Sequence, residues 1–250
     1  PTSWLWWLPR ITFVLFVAAV GGLLWLSDKT DREEQRTTLI TDVLWLEQDL
    51  RFLLTRNEEL LGQLPLMPSR GFDSQAQAML VNGSGLRQIF LVAREGAVLQ
   101  AHPTADTHYL VGEAGDTVPS GAALRLATSL GKPVYSQPYP VVDGDWQFEV
   151  HVPLYQEGRV RQVAVGIYSV RGILDQSVPW WLAERYRIRV VNAMGDTLGT
   201  RSKIGAPGIA SDYEIPFDPP GHGLILEATA YRTPTPVAGR LLSSALVALA

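Results

Sequence analysis

The sequence predicts an α+β fold made of a transmembrane helix, a long stalk helix, two antiparallel-sheet modules and the start of a second transmembrane helix. Three observations carry this prediction. An apolar run occupies residues 11–26, a heptad pattern follows over 30–64, and strand patterns of period two, separated by turns, fill most of the remaining chain. The second sheet module is the smaller of the two.

The first segment, residues 1–27, is predicted to contain the first membrane span. Only Thr12 carries a polar side chain within 11–26, and tryptophans lie on both flanks, as in the interfacial belts of a bilayer. The run is slightly shorter than the roughly 20 residues that a spanning helix needs. A cleaved signal peptide is the alternative, and it is less favoured because the heptads continue without a loop to cleave.

Residues 28–65 are predicted to form the stalk helix, about 50 Å long at 1.5 Å per residue. The spacing of its seam alternates between four and three residues, through Leu39, Val43, Leu46, Leu50, Leu53, Asn57, Leu60 and Leu64. This pattern is typical of a coiled coil and predicts a homodimer through the stalk. The alternative is that the helix packs on its own domain, and the wider apolar stripe with Ile40, Leu44, Leu54 and Leu61 favours it. Both remain open.

Residues 66–172 are predicted to form the membrane-distal module. Its expected elements are a short helix, two strands, a Gly- and Pro-rich loop, a second helix and three further strands, at 75–80, 88–93, 97–102, 103–121, 121–130, 134–139, 146–155 and 160–170. Gly-centred turns between alternating strands indicate an antiparallel sheet. This order of elements resembles a PAS-like sensor fold.

Residues 173–236 are predicted to form a linker helix and a smaller membrane-proximal module. The helix is expected over 173–186, and the strands are expected at 187–192, 197–200, 213–217 and 223–231. Residues 237–250 are largely apolar but too short to cross a bilayer as a helix. They are therefore expected to begin a second span.

The stretch PVYSQPYPVVDGDWQFEVHVPLYQEGRVRQVAVGIYSV, residues 133–170, is similar to the closing hairpin of the ligand-binding module in double Cache (PDC) sensors. The resemblance implies the extracytoplasmic sensor region of a bacterial inner-membrane histidine kinase, with residues 28–236 outside the cytoplasm. It implies a small polar or anionic metabolite as ligand. The alternatives are a chemoreceptor, a diguanylate cyclase, or a membrane-anchored enzyme or scaffold.

Composition and motifs argue against several other functions. The net charge of −4 is unlike that of nucleic-acid-binding proteins, and the chain has no cysteine for thiolate chemistry. The four histidines lack metal-site spacing, and no Walker loop, dinucleotide fingerprint or nucleophile elbow is present. The sequence predicts no catalytic site, metal or cofactor within these residues.

A two-residue turn at Glu157-Gly158 predicts the register of the last hairpin. Phe148, Val150 and Val152 would oppose Ile167, Val165 and Val163 on an apolar face, whereas Gln147, Glu149 and His151 would oppose Tyr168, Gly166 and Ala164. The small residues would leave space beside the polar groups. The predicted ligand-binding residues are Glu149, His151, Tyr168, Gln147, Tyr135, Tyr139, His102 and His108, with Arg87 and Lys132 as candidate anion partners.

Two alternatives qualify this predicted pocket. Glu149 and His151 would merely pair on a solvated sheet face if no ligand binds there. In the amino-acid-binding members of the family, an aspartate near the end of the last strand holds the ammonium group. Tyr168 stands at that place here, which argues against an amino-acid ligand.

Overall fold

The computed structural model describes residues 8–66, 70–81, 85–103, 119–141, 144–203 and 209–231. The chain divides into two compact units, residues 42–231 and residues 1–41 with 232–250. Within the described ranges, we find no helix with the length and apolar character needed to cross a membrane. The first predicted span stays a prediction, and the second, 237–250, lies outside the described residues.

Helix α1 runs without interruption from Leu8 to Gly62 and contains nearly all of the predicted stalk. In the unit 42–231, its predicted seam is mostly buried, and so are the wider positions Leu54 and Leu61. Burial of the seam within a single chain means that α1 packs on its own domain. The homodimer through the stalk stays a prediction.

The first sheet contains six strands and confirms the predicted antiparallel module. The helices and strands around it are α2 (Arg70–Val81), β1 (Leu86–Ala93), β2 (Val98–His102), α3 (Pro119–Leu130), β3 (Val134–Tyr135), β4 (Tyr139–Pro140), β5 (Trp146–Gln156) and β6 (Arg159–Ser169). Their order in the sheet is β2-β1-β6-β5-β3, and β4 also pairs with β5. The single strand predicted at 134–139 is thus two short strands.

The predicted register of the β5–β6 hairpin is wrong beyond its first pairs. The turn itself is as expected, because Glu157 and Gly158 have φ angles of 54° and 77° and Gln156 pairs with Arg159. A β-bulge between Leu154 and Tyr155 then shifts the pairing by one residue. Phe148 therefore lies opposite Tyr168, Val150 opposite Gly166, Glu149 opposite Ile167 and His151 opposite Val165.

The shift redistributes the β6 side chains between the two faces of the sheet. On the face covered by α1, hereafter the α1 face, Phe148, Val150 and Val152 lie beside Tyr168, Gly166 and Ala164. A Cβ atom on Gly166 would come within 3.0 Å of Leu61 Cδ1, so the helix approaches the sheet closely there.

The opposite face, hereafter the α3 face, carries the second part of the core. It contains Phe90, Val92, Val163, Val165 and Ile167 of the sheet with Leu124 of α3. Both faces of this sheet are therefore buried, and the polar residues of β5 share the α3 face with an apolar cluster.

The second sheet has four strands and follows two short helices. Its elements are α4 (Val170–Ser177), α5 (Trp180–Arg185), β7 (Tyr186–Val191), β8 (Thr197–Arg201), β9 (Ile209–Pro216) and β10 (Ile225–Tyr231), in the sheet order β8-β7-β10-β9. The predicted linker helix is split because Pro179, the N-cap residue of α5, follows the extended residue Val178. The Tyr186 hydroxyl donates to Asp42 Oδ2 of α1 at 2.9 Å.

Candidate functional site

Strand β5 places three polar side chains in a row on the α3 face. Gln147, Glu149 and His151 alternate with Phe148 and Val150, and all three are buried. Buried charged residues are rare unless they are paired, because removing a charge from water is costly. This polar row is therefore the part of the sheet that apolar packing does not explain.

Both carboxylate oxygens of Glu149 have partners. The Tyr139 hydroxyl donates to Oε1 at 2.7 Å, and His151 Nε2 lies 2.9 Å from Oε2. The backbone N–H of Glu149 donates to Ser136 Oγ at 2.9 Å, and the Ser136 N–H donates to the Glu149 carbonyl at 2.8 Å. Ser136 thus lies between β3 and β4 and fixes the strand that carries the carboxylate.

His151 has one ring nitrogen without a partner. The side chain is fully buried, and Nδ1 makes no hydrogen bond within the described part of the chain. Its neighbours across the sheet are Val165 on β6 and Val134 on β3. An unpaired buried polar atom costs about 1–3 kcal/mol, so a ligand that supplied the missing partner would recover that free energy.

A second buried polar group lies at the start of β5. Asp145 Oδ2 accepts from the Ser169 hydroxyl at 2.5 Å, and Oδ1 accepts from the Trp146 N–H at 2.9 Å. Arg87 Nη2 lies 4.0 Å from Oδ2. Asp145 is not among the ligand-binding residues predicted from the sequence. It lies directly before β5, and the paired strand β6 ends in Ser169. A carboxylate next to a hydroxyl at the end of a strand pair is the signal that could have identified it.

Tyr168 does not join the polar row, because the bulge places it on the α1 face. Its ring stacks on Phe148 with the centroids 5.1 Å apart. Burial raises the pKa of Tyr168, and the Asn57 side chain of α1 partly offsets this effect. Asn57 is itself buried and therefore faces the sheet.

Tyr135 also lies on the α1 face, opposite Val150. Its hydroxyl donates to Glu58 Oε1 of α1 at 2.5 Å, and burial raises the pKa of Glu58. The Tyr135 carbonyl is 2.8 Å from Nε2 of His222, in the segment between β9 and β10. Tyr135 thus joins the first sheet to α1 and to the second module.

Two of the predicted histidines, His102 and His108, lie outside β5. The one that the structure describes, His102, does not contact the polar row. His102 pairs with Ile89 on the α1 face, and its Nδ1 lies 3.6 Å from Asp73 Oδ1 of α2. His108 lies outside the described residues. In the part of the chain that the structure describes, no group of three or more His, Cys, Asp or Glu side chains is arranged to hold a metal ion.

Two open depressions lie on the surface, away from the polar row. One, of about 270 Å³, lies between α1 and α2 and is lined by residues that include Asn57, Leu60 and Met79. The other, of about 910 Å³, lies at the hairpin ends beside Arg94, Glu157 and Arg161. Neither depression is lined by Glu149 or His151. The polar row is the candidate site because it contains a buried nitrogen, His151 Nδ1, that lacks a hydrogen-bond partner among the described residues.

Comparison with known proteins gives one relative along almost the whole chain. The chain is 30% identical over 255 aligned positions to the C4-dicarboxylate transport sensor protein DctS of Rhodobacter capsulatus. The match covers 97% of this chain, which spans about a third, 35%, of the length of that protein. No family model matches the chain.

One solved structure shares the fold, and a second is similar over most of its length. A domain of a sensory box/GGDEF family protein from Vibrio parahaemolyticus has a TM-score of 0.55 at 10% identity, covering 81% of this chain and 97% of that one. The ligand-binding domain of the Pseudomonas aeruginosa chemoreceptor PctB, solved with L-Gln, has a TM-score of 0.49 at 15% identity, covering 80% of this chain and 95% of that one. The likeness to the Vibrio parahaemolyticus domain shows that the predicted helix and antiparallel-sheet fold is shared with that protein.

Proposed function

We propose that this chain is the extracytoplasmic ligand-sensing region of a membrane-anchored bacterial histidine kinase and that its ligand is a C4-dicarboxylate. The sequence similarity to a C4-dicarboxylate transport sensor over nearly the whole chain supports this ligand class. The observation that carries the site is the fully buried His151, whose Nδ1 lacks a partner among the described residues. The proposed contacts are His151 and Gln147, with Tyr139 and Glu149 behind them.

Glu149 is a positioning residue in this proposal. Its two oxygens accept from Tyr139 and lie against His151, so neither oxygen needs a ligand group. Holding Nε2 of the imidazole fixes the ring and leaves Nδ1 as the atom that can contact the ligand. Histidine rings are commonly oriented in this way by a carboxylate on the other nitrogen.

The proposed output depends on α1. Phe148 and Tyr168 lie on the reverse side of the strands that carry the polar row, and Tyr168 meets Asn57 of α1. A ligand that binds one arrangement of the sheet and α1 more tightly than another shifts the equilibrium between them. In the membrane-anchored dimer, that shift would change the relation between the two predicted spans.

Calorimetry of the 250-residue chain with succinate, fumarate and malate tests the ligand class, and L-glutamine serves as the comparison compound. We expect a C4-dicarboxylate to bind and His151→Ala to weaken binding at least tenfold, since a lost charge-assisted hydrogen bond is worth about 1.5–3 kcal/mol. Tyr155→Phe is the control, because the Tyr155 hydroxyl donates to Gly131 on the exposed surface. Absence of dicarboxylate binding, or wild-type affinity in His151→Ala, would overturn the proposal.

A further inference from the structure

We infer that a carboxylate ligand binds at the polar row together with one proton, which is taken up on Nδ1 of His151. The inference rests on the proposed function, because it concerns how the dicarboxylate would be held. It starts from the contact between Glu149 and His151, in which Oε2 and Nε2 lie 2.9 Å apart and both side chains are buried.

The protonation of this pair is restricted by its hydrogen bonds. The Tyr139 hydroxyl donates to Oε1, so the carboxyl group of Glu149 accepts at that oxygen. One proton must lie between Oε2 and Nε2, since two bare lone pairs at 2.9 Å would repel each other. With only that proton, the pair carries one negative charge and Nδ1 of His151 is a bare acceptor.

A carboxylate cannot bind favourably to the pair in that state. It would meet the Nδ1 lone pair and the negative charge of Glu149 in a buried environment, where such repulsion is stronger than in water. A second proton, placed on Nδ1, makes the pair neutral and turns Nδ1 into a donor. The N–H of an imidazolium is then the partner that a carboxylate oxygen accepts from.

No described residue near His151 supplies a positive charge in place of this proton. Val165 of β6 and Val134 of β3 lie beside the ring, and on its own strand the ionisable neighbour is Glu149. Tyr139 of β4 is engaged with Glu149, and Arg125, the sole ionisable residue of α3, is exposed. Helix α1, with Glu58, packs on the other face. Among the described residues, the proton is therefore the available source of positive charge at Nδ1.

Proton uptake gives the ligand affinity a definite dependence on pH. The bound state holds one more proton than the free state, so the affinity rises as the pH falls. At pH values where the free pair lacks the second proton, the dissociation constant should rise by up to about tenfold for each pH unit. This slope separates the inference from a ligand held by permanent charges, whose affinity would stay constant over the same range.

The test is calorimetry of succinate binding to the 250-residue chain at pH 8, in buffers that differ in ionisation enthalpy. The slope of the observed enthalpy against buffer enthalpy gives the number of protons taken up, and we expect about one in the wild type. His151→Asn keeps an N–H donor near the place of Nδ1 but cannot ionise, so its uptake should fall to about zero. His102→Asn, on the other face, should keep an uptake of about one.

The outcomes distinguish this inference from the function on which it rests. Succinate binding without proton uptake in the wild type, or uptake that persists in His151→Asn, overturns the inference and leaves the dicarboxylate sensor standing. No binding of any C4-dicarboxylate at any pH overturns the proposed function itself. The wild-type slope decides the matter even if His151→Asn fails to fold.

Discussion

Phe148 and Tyr168 lie opposite each other in the β5–β6 hairpin and stack with an interplanar angle of 18°. Both side chains are fully buried, and Tyr135 packs on Phe148 from β3 with the ring centroids 6.1 Å apart. The three rings form the part of the α1 face that lies directly behind the polar row. Packing of this aromatic group therefore supports the strands that hold Glu149 and His151.

Replacing Phe148 with alanine should destabilise the domain strongly. Loss of a fully buried phenylalanine leaves a cavity between Tyr168 and Tyr135, and such substitutions cost about 3–5 kcal/mol. The measurement is the free energy of unfolding from urea titration of the wild type and the variant. Leu126→Ala, at a half-exposed position of α3, should change that free energy by less than about 1 kcal/mol. Equal effects of the two substitutions would contradict the prediction.

Gly166→Ala should also destabilise the domain, by about 1–3 kcal/mol, because the new methyl group has no space. Its Cβ would lie 2.7 Å from Leu86 Cδ2 and 3.0 Å from Leu61 Cδ1. Thermal unfolding followed by circular dichroism measures the effect. The control is Gly121→Ala in α3, where the new Cβ would lie 3.7 Å from Arg125 Nη1, an ordinary contact distance, and helix propensity favours alanine. A Tm for Gly166→Ala equal to that of the wild type would disprove the tight contact.

The raised pKa of Glu58 predicts that its contribution to the free energy of unfolding depends on pH. Burial raises its pKa above the ordinary value of 4.5, so the folded state holds this proton more tightly than the unfolded state does. The contribution of Glu58 is therefore fully favourable below pH 4.5 and is lost as the pH rises through the raised pKa. Glu58→Gln removes that loss and can still accept from the Tyr135 hydroxyl.

The unfolding free energy of Glu58→Gln relative to the wild type should accordingly increase as the pH rises from 4.5 through the raised pKa of Glu58. Urea titrations at several pH values measure this difference. The control is Asp49→Asn, at an exposed position of α1 well separated from Glu58 along the helix, which should show no such trend. A constant difference between Glu58→Gln and the wild type would contradict the assignment.

The proposed homodimer should use the exposed surface of α1 instead of its buried seam. Leu44, Trp45 and Phe52 are exposed on α1, with Phe52 at 66%, and Trp45 also contacts Trp181 of α5 with ring centroids 5.8 Å apart. Phe52→Glu should weaken self-association at least tenfold, since it places a charge in an apolar contact. Analytical ultracentrifugation measures the dissociation constant, with Leu126→Glu as a charge-matched control at a half-exposed apolar position of α3. A monomeric wild-type chain would rule out this dimer.

Most of the strands and the helix α1 could be predicted from the sequence because each has a strong local signal. The turn at Glu157-Gly158 was predicted correctly, because the glycine that marks it is visible in the local sequence. The bulge at Leu154 and Tyr155 has no such signal. Strand β6 is apolar or small at nearly every position from Val163 to Tyr168, so a shift of one residue leaves both faces able to pack.

That single shift explains why the predicted grouping of side chains on one face of the sheet was only partly correct. Glu149, His151, Gln147 and Tyr139 lie on one face as expected, because alternation along β5 fixes them. Tyr168 and Tyr135 were wrongly assigned to that face, since their side depends on pairing between strands. The predicted space beside Gly166 and Ala164 is likewise on the α1 face, where Leu61 fills it.

Ser169 makes two side-chain hydrogen bonds at the junction between the first sheet and α4. Its hydroxyl donates to the buried Asp145 and accepts from the Gly172 N–H, which caps the first turn of α4. The last residue of the first sheet is thus also the first polar contact of the helix that leads to the second module. Rotation of this one side chain would break a sheet contact and uncap a helix together. The end of the first sheet and the start of α4 therefore share one hydroxyl group.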